Sequence, residues 1–566
     1  MKKLLTTIVA AIMAFGMVAG VGCSGGGGGI DETKSQLYIG NQNAGLGYVW
    51  LEKIIDNFEK QYANYSFEDG KVGVEVILSN KLEEYSQVSL TSTMETNDID
   101  LYYICDVAPD SWISSGLIAD TTNAIKAVIY DEDGELAEIS GKTAVQSLED
   151  RMYGGVQDKF CINGRYYGLP EYADVGGIIY DADLFEEKGY YFYASEYDNN
   201  GNIVRLGDIG ARSGDADIGI GPDGIPGNSD DGLPETYTQF VTLMDQMASV
   251  DSIIPLTWSV LGYQARIAYN YIYANYEGFN DFSLNNSFSG TDSEFGEIND
   301  SNAWQLRGQQ GRKAALQLFY DLANTPKYHS PNVSKSTQTH KEAEYEYVYS
   351  VESTSGRIAM LFEGGYWENE ARSTFDFMES IHSSYGYGQR NFKLLPCFKF
   401  TNIEQATYGI TAQTTRENVL CARGVSSYEC ISNYSPRKAI AEKFIQFSHG
   451  ASQMAVFTEH TNCIRPFNYT LTSEMRSTFT PFAESIYQLM EDGAKFVLDV
   501  DSSPLKRANH GIFNNESCWT FRCKVGVTEY YNPYNVFSAS SSNTVESVFE
   551  AIKNYGPFTP EQWPSV

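Results

Sequence analysis

Between Leu37 and Leu117 the chain alternates two hydrophobic rhythms, and this alternation restricts the fold more than any other feature. Leu37-Tyr38-Ile39-Gly40-Asn41 is a short apolar run that leads into a polar loop. Leu51, Ile54, Ile55, Phe58 and Tyr62 then recur at helical spacing. Val74, Val76 and Leu78 alternate with Glu75 as a strand does, and a second apolar run from Leu101 to Cys105 ends at Asp106. A helix and turn follow through Trp112, Ile113, Gly116 and Leu117. Strand, helix, strand, helix predicts a parallel α/β sheet, whose ligands sit beyond the carboxyl ends of its strands. A chain of 566 residues has room for more than one such lobe.

The first residues serve another purpose. Lys2 and Lys3 precede an apolar stretch from Leu4 to Val21, which reads as an export signal over residues 1–22. Gly20-Val21-Gly22-Cys23 resembles a bacterial lipobox, where the signal is cut before Cys23 and its thiol takes a diacylglyceryl group. Ser24 and the glycines 25–29 suit a tether over residues 23–35 between a lipid anchor and a folded body. A secreted protein cut elsewhere is the other reading.

Charge and missing motifs narrow the function. A net charge of −33 repels phosphate backbones and anionic lipid heads, which argues against nucleic acid and against polybasic membrane docking. The six histidines include no HExxH and no pair at helical spacing, so a zinc hydrolase is not indicated. There is no GxSxG elbow, and Gly219 to Gly224 matches GxGxxG without a strand before it or a helix after it. Beyond Cys23 the cysteines are scattered, with Cys518 and Cys523 the best-placed pair for a local bridge.

Thr236 with Gln239 forms a capping box before Phe240, and Ser435-Pro436 marks the start of a helix through Ile440, Phe444 and Phe447. Residues 195–233 and 280–302, rich in Gly, Asp, Asn and Ser, read as loops inserted on a larger unit. In the first of them Asp215, Asp217, Asp223, Asp230 and Asp231 alternate with glycines. Such oxygen donors suit a structural Ca²⁺, although the spacing departs from an EF-hand and a solvated acidic turn is the alternative.

Residues 162–190, INGRYYGLPEYADVGGIIYDADLFEEKGY, resemble the signature of the extracellular solute-binding proteins of family 1. These are the sugar-binding lipoproteins of ABC importers related to maltose-binding protein. Leu233 to Tyr237 resembles that family's Pro-x-Thr-Trp helix start, and Gly356 to Met360 with Gly364-Gly365-Tyr366-Trp367 its Gly-x-Ala-Ala-Met strand and Gly-x-Trp turn. Ser435 to Phe447 and Arg465-Pro466 continue the order. The resemblance implies a monomeric, two-lobed α/β fold of the type II periplasmic-binding-protein class, with lobes joined by hinge strands near Pro170, near Cys430 and after Arg465. Its first lobe would hold residues 36–170 and 428–475. The second would hold 171–427 and 476–566, with the acidic insertion at 195–233. It also implies a non-catalytic receptor, without a required cofactor, that hands an oligosaccharide to ABC permease subunits at the outer face of the membrane. A surface glycoside hydrolase with a hidden carboxylate pair and a glycan-binding adhesin are the alternatives.

A pyranose offers an apolar CH face and a rim of hydroxyls, so its site needs ring faces together with amides or carboxylates. By position in the family's pattern, Trp367 is expected to be the principal platform, flanked by Tyr366 and Glu363. Glu171, Tyr172 and Asp174 follow the first crossing, Asn41, Asn43 and Asp106 follow strands, and Trp258, Tyr263 and Gln264 precede a long helix. Each ring could instead be core, and each acid could be solvated surface.

Overall fold

The computed structural model describes residues 30–564 apart from 43–44, 80–81, 83–86, 106–108, 154–155, 336, 355, 414–415, 424–426, 499–502 and 514–518. Cys23 and the leader, Asn43, Asp106 and Cys518 therefore lie outside the described residues. In chain order the strands of the main sheets are β1 (Ser35–Asn41), β2 (Val74–Ser79), β3 (Leu101–Cys105), β4 (Leu169–Pro170), β5 (Asp174–Val175) and β6 (Gly177–Asp181). They continue with β7 (Ile254–Thr257), β8 (Ile358–Glu363), β9 (Phe392–Leu394), β10 (Val419–Arg423), β11 (Ser427–Ile431) and β12 (Lys495–Leu498).

The alternating N-terminal region forms the centre of a sheet ordered β2-β1-β3-β11-β4. β1 pairs in parallel with β2 and β3, placing Leu37 beside Val76 and Ile39 beside Leu101, whereas β11 runs antiparallel with Tyr428 beside Ile104. Helix α1 (Val49–Gln61) buries Trp50, Leu51, Ile54, Ile55 and Phe58, the face set by its helical spacing. Trp50 meets Phe457 of the Ala451–Thr461 helix edge-on, so two distant segments close this lobe.

A second sheet runs β7-β8-β6-β9, and a third runs β12-β10-β5. Every residue of β8 is buried, as expected of a strand covered on both faces. Asp181, fully buried at the end of β6, caps the next helix by accepting the Leu184 N–H. Its other oxygen receives Arg357 at 2.8 Å and Arg390 at 2.6 Å, so the charge is matched on the spot. β4 and β11 belong to the first sheet while β5 and β10 belong to the third, so residues 171–173 cross between sheets. The segment after Arg465 leads from the Ala451–Thr461 helix, packed on α1, to the Pro481–Glu491 helix, packed on β9; the arrangement is a two-lobed α/β fold.

Three local expectations change. The stretch from Asn280 is not loop throughout: helix α2 (Gln264–Ser287) breaks at Gly278, where φ is +80°, and resumes to Ser287 before a short hairpin. Only glycine takes that angle without strain. The helix expected at Ser435-Pro436 starts at Lys438, because the Ser435 hydroxyl is spent on Asp100 and on the Arg437 N–H. The Thr236–Gln239 capping box is present.

The third change concerns the acidic insertion, which is folded but does not gather its aspartates into a cation cage. Asp215 accepts the Arg212 N–H, Asp223 the Ile225 N–H, Asp230 the Asp223 N–H and Asp231 the Gly227 N–H. Asp217 is exposed. These carboxylates point back at their own turns, as short polar side chains do in Gly-rich loops. Among the described residues no group of three or more His, Cys, Asp or Glu side chains is placed to hold a metal ion.

Candidate functional site

The crossing segments are stitched together by backbone and side chain. Glu171 N–H donates to the Ser427 carbonyl at 3.0 Å, and Ala173 N–H to the Ile464 carbonyl at 2.8 Å. The Ser427 hydroxyl donates to the Glu171 carboxylate. Arg465, fully buried, donates from Nε to the Glu171 carbonyl at 2.9 Å and from Nη1 to the Ser448 carbonyl at 3.3 Å. One guanidinium thus touches the first crossing while belonging to the third.

Two acids compete for that cation. Burial pushes the Glu171 carboxyl up to about 7 against the pull of Ser427 and Arg465, and pushes Glu429 up to about 7 against Arg465 and Tyr103. His449 Nδ1 lies 2.9 Å from the Ile445 carbonyl, which can only accept, so Nδ1 carries the proton. Its bare Nε2 is 3.1 Å from Glu429 Oε1, and no hydrogen bond joins the two atoms. Burial, with Arg465 nearby, also holds His449 well below its usual range, so this is a neutral pair and not an ion pair.

Most of the expected site residues gather around the turn after β8. Asp174 Oδ1 accepts the Gly365 N–H at 2.6 Å, and a Cβ placed on Gly364 would lie 2.4 Å from that oxygen. The glycine pair therefore lets β5 press against the turn. Glu363, buried at the end of β8, accepts from Gln264 Nε2 at 2.5 Å and from the Gly364 N–H at 2.7 Å. The Tyr263 hydroxyl is 3.4 Å from Glu363 and 3.5 Å from the Tyr366 hydroxyl. Tyr172 meets Tyr366 edge-on at 5.6 Å between ring centres, and the Tyr263 ring lies 5.6 Å from His340. From the other lobe, a Cβ on Gly45 would be 3.1 Å from Glu370 Cγ and 3.2 Å from the Tyr366 ring, so the loop after β1 closes over this group.

Tyr366, Tyr172, Tyr263, Gln264, Glu363 and Asp174 thus come together, with Asn41 buried at the end of β1. Other expected site residues do not join them. Trp367 is fully buried among Tyr347, Phe375, Phe392 and Phe482, so it is core and not a platform. A Cβ on Gly364 would meet the Asp174 carboxylate, and one on Gly365 the Val175 backbone. Trp258 is likewise core, against Phe362, His329 and Tyr534. Glu171 turns into the hinge and away from the cleft.

Residues that the sequence reading passed over complete the site. Helix α3 (His340–Tyr349) brings His340 and Glu344, four apart and so on one helical face, a spacing that could have singled them out. His340 Nε2 sits 3.1 Å from Glu370 Oε1, and Lys341 Nζ 3.6 Å from the same oxygen. Burial opposes ionisation of Glu370, but the hydrogen bond and charge of His340, with Lys341, hold it below its ordinary value; His340 is raised in return. Burial pushes Glu363 up to about 7 and Glu344 well above the carboxylate range, and the charges of neighbouring glutamates add to both shifts.

The first test concerns Trp367. Trp367→Ala is expected to lower unfolding stability by about 3–5 kcal/mol, as emptying a buried aromatic site does. Denaturant melts read this, and unchanged stability together with lost ligand binding would return the ring to the cleft. The second concerns the hinge acids. A carboxyl raised from its unfolded value to about 7 stabilises fully below pH 4.5, and that contribution is lost as pH rises through about 7. Glu429→Gln should therefore gain about 1 kcal/mol or more on the wild type between pH 5 and pH 8. Parallel curves for the two proteins would show that Glu429 does not titrate there.

No family model and no curated protein sequence matches this chain. Among solved structures it is similar to a chitin oligosaccharide binding protein, with a TM-score of 0.49 and 13% identity over 92% of this chain and 97% of the other. It is similar to maltose-bound MalE3 of T. maritima, with a TM-score of 0.49 and 13% identity over 92% and 98%. It is also similar to the binding protein RafE in complex with raffinose, with a TM-score of 0.45 and 12% identity over 89% and 99%.

Proposed function

We propose that this protein is the substrate-binding component of a carbohydrate ABC importer, capturing an extracellular saccharide between its lobes and delivering it to membrane permease subunits. The observation that carries this is the meeting of three tyrosine rings, Tyr172, Tyr263 and Tyr366, with a rim of Gln264, Glu363, Glu370 and His340, where the loop at Gly45 closes across from the other lobe. Ring faces suit the CH face of a pyranose, and the amide and carboxylates suit its hydroxyls. A clamp of two lobes binds by closing, since the ligand stabilises the state in which both lobes touch it.

The acids favour binding over hydrolysis. A glycosidase needs carboxyl groups about 5 Å or more apart with the scissile bond between them. Glu344 and Glu363 lie within hydrogen-bonding reach of each other, which leaves no space for a sugar between them. Export fits the leader, and anchoring fits Cys23 followed by a glycine tether. Among the described residues no helix is long and apolar enough to cross a membrane.

Tyr366→Ala is expected to weaken binding of a saccharide selected on a glycan array by about 30-fold, from the ~2 kcal/mol that a buried aromatic anchor supplies. Tyr366→Phe should keep most of the affinity. Titration calorimetry on both variants checks this, and affinity within threefold of wild type for Tyr366→Ala would move the platform elsewhere. Anchoring is tested separately: two acyl chains contribute about 0.8 kcal/mol per buried CH₂. Cys23→Ala should shed the protein into the medium or leave an uncut precursor, and unaltered processing and membrane fractionation would remove the lipid anchor.

A further inference from the structure

Several buried acids elsewhere in this fold meet an arginine. Asp181 receives Arg357 and Arg390, Asp100 receives Arg437 and Glu235 receives Arg416. Others do not, and Glu344, Glu363 and Glu370 are the ones gathered beside the tyrosines. Among the described residues, the cations within 4.0 Å of Glu344, Glu363 or Glu370 are His340 and Lys341, and both sit on the same oxygen of Glu370. Glu344 is 1% exposed, and neither of its carboxyl oxygens has a hydrogen-bond donor among those residues; Glu370 Oε2 has none either. Buried polar atoms are almost always satisfied, so three orphaned acceptor oxygens in one place call for an explanation.

Protons answer part of it. Glu344 and Glu363 are close enough to share one, and burial favours the shared form. That leaves the pair with one negative charge and still supplies no donor to the remaining oxygens. The parts of this cluster that reach solvent are the Tyr263 ring, the partly exposed His340 and the edge of Glu370, whose side chain is 10% exposed.

A ligand that answered this arrangement would bring both positive charge and several N–H donors. A hydroxyl brings one donor and no charge. An ammonium brings three donors in a compact cation, and charge-assisted hydrogen bonds to carboxylates are about twice as strong as neutral ones. We propose that the saccharide captured by this cleft is an amino sugar with a free amine, whose ammonium group docks on the Glu344–Glu363–Glu370 cluster. The inference rests on the reading of the cleft as a saccharide site and adds the chemical class of its ligand. The tyrosines would hold the ring face, and Gln264 would keep Glu363 turned toward the amine.

The test uses the mature chain and hexose oligomers in three matched forms, with hydroxyl, N-acetylamino or free amino groups on the ring, titrated by calorimetry at neutral pH and 0.15 M salt. The free-amine form is expected to bind at least ten times tighter than both neutral forms. The double substitution Glu344→Gln with Glu363→Gln, which keeps the shape and removes the charge that the pair shares, should cut that preference at least tenfold while the melting temperature of the unliganded protein does not fall. Neutral forms that bind as well as the amine overturn the inference and leave the saccharide site standing. Failure of all three forms to bind overturns both. An amine preference that persists in the double variant but vanishes at 0.5 M salt belongs to the overall negative charge of the chain and also overturns it.

Discussion

Everything between the lobes depends on one buried guanidinium. Arg465 belongs to the third crossing, grips the backbone of the first at Glu171, and stacks over Phe457 with 5.0 Å from its guanidinium carbon to the ring centre. Its charge pulls against the burial that raises both the Glu171 and the Glu429 carboxyls. Separating these segments would leave a guanidinium and two acids without their partners and away from water, which is why the crossing is tied so closely at this point.

The same economy of position appears at the turn after β8. Consecutive residues there have opposite fates: Tyr366 turns to the cleft and Trp367 into the aromatic core, with the glycines before them admitting β5 at close range. The two roles reinforce each other. A tryptophan locked against four aromatic rings cannot rotate, so the backbone of the tyrosine beside it is fixed, and the Tyr366 ring is held further by Tyr172 and the Tyr263 hydroxyl.

Much of the fold was legible because it depends on periodicity. The alternation from Leu37 to Cys105, the face of α1 and the capping box at Thr236 each follow from residue types within a few positions of one another. The helical continuation past Asn280 was not, because polar residues there are held by tertiary contacts: Asn285 accepts from Arg312 and Trp519, and Asn286 donates to the Leu498 carbonyl. Composition suggested a loop, and partners far along the chain overruled it. At the site Tyr366 and Glu363 were legible through the family-like turn, Tyr172 and Asp174 through the segment after Pro170, and Tyr263 and Gln264 through their place before a long helix. Glu344 and Glu370 were not, since their meeting with Glu363 depends on α3 docking beside β8.

Sequence position also could not say which way a polar side chain would turn at the crossing. Glu171 and Tyr172 are neighbours in an extended segment, and in extended chain successive side chains point to opposite faces. One therefore enters the hinge and the other the cleft: Glu171 binds Ser427, and Tyr172 meets Tyr366. That alternation links the two halves of the mechanism. Any rotation of this backbone that moves the Tyr172 ring must also move the Glu171 carboxyl against Ser427 and the Glu171 carbonyl against Arg465. One buried acid beside Arg465 and one ring of the tyrosine cluster are thus opposite faces of one extended segment, and neither can be repositioned without the other.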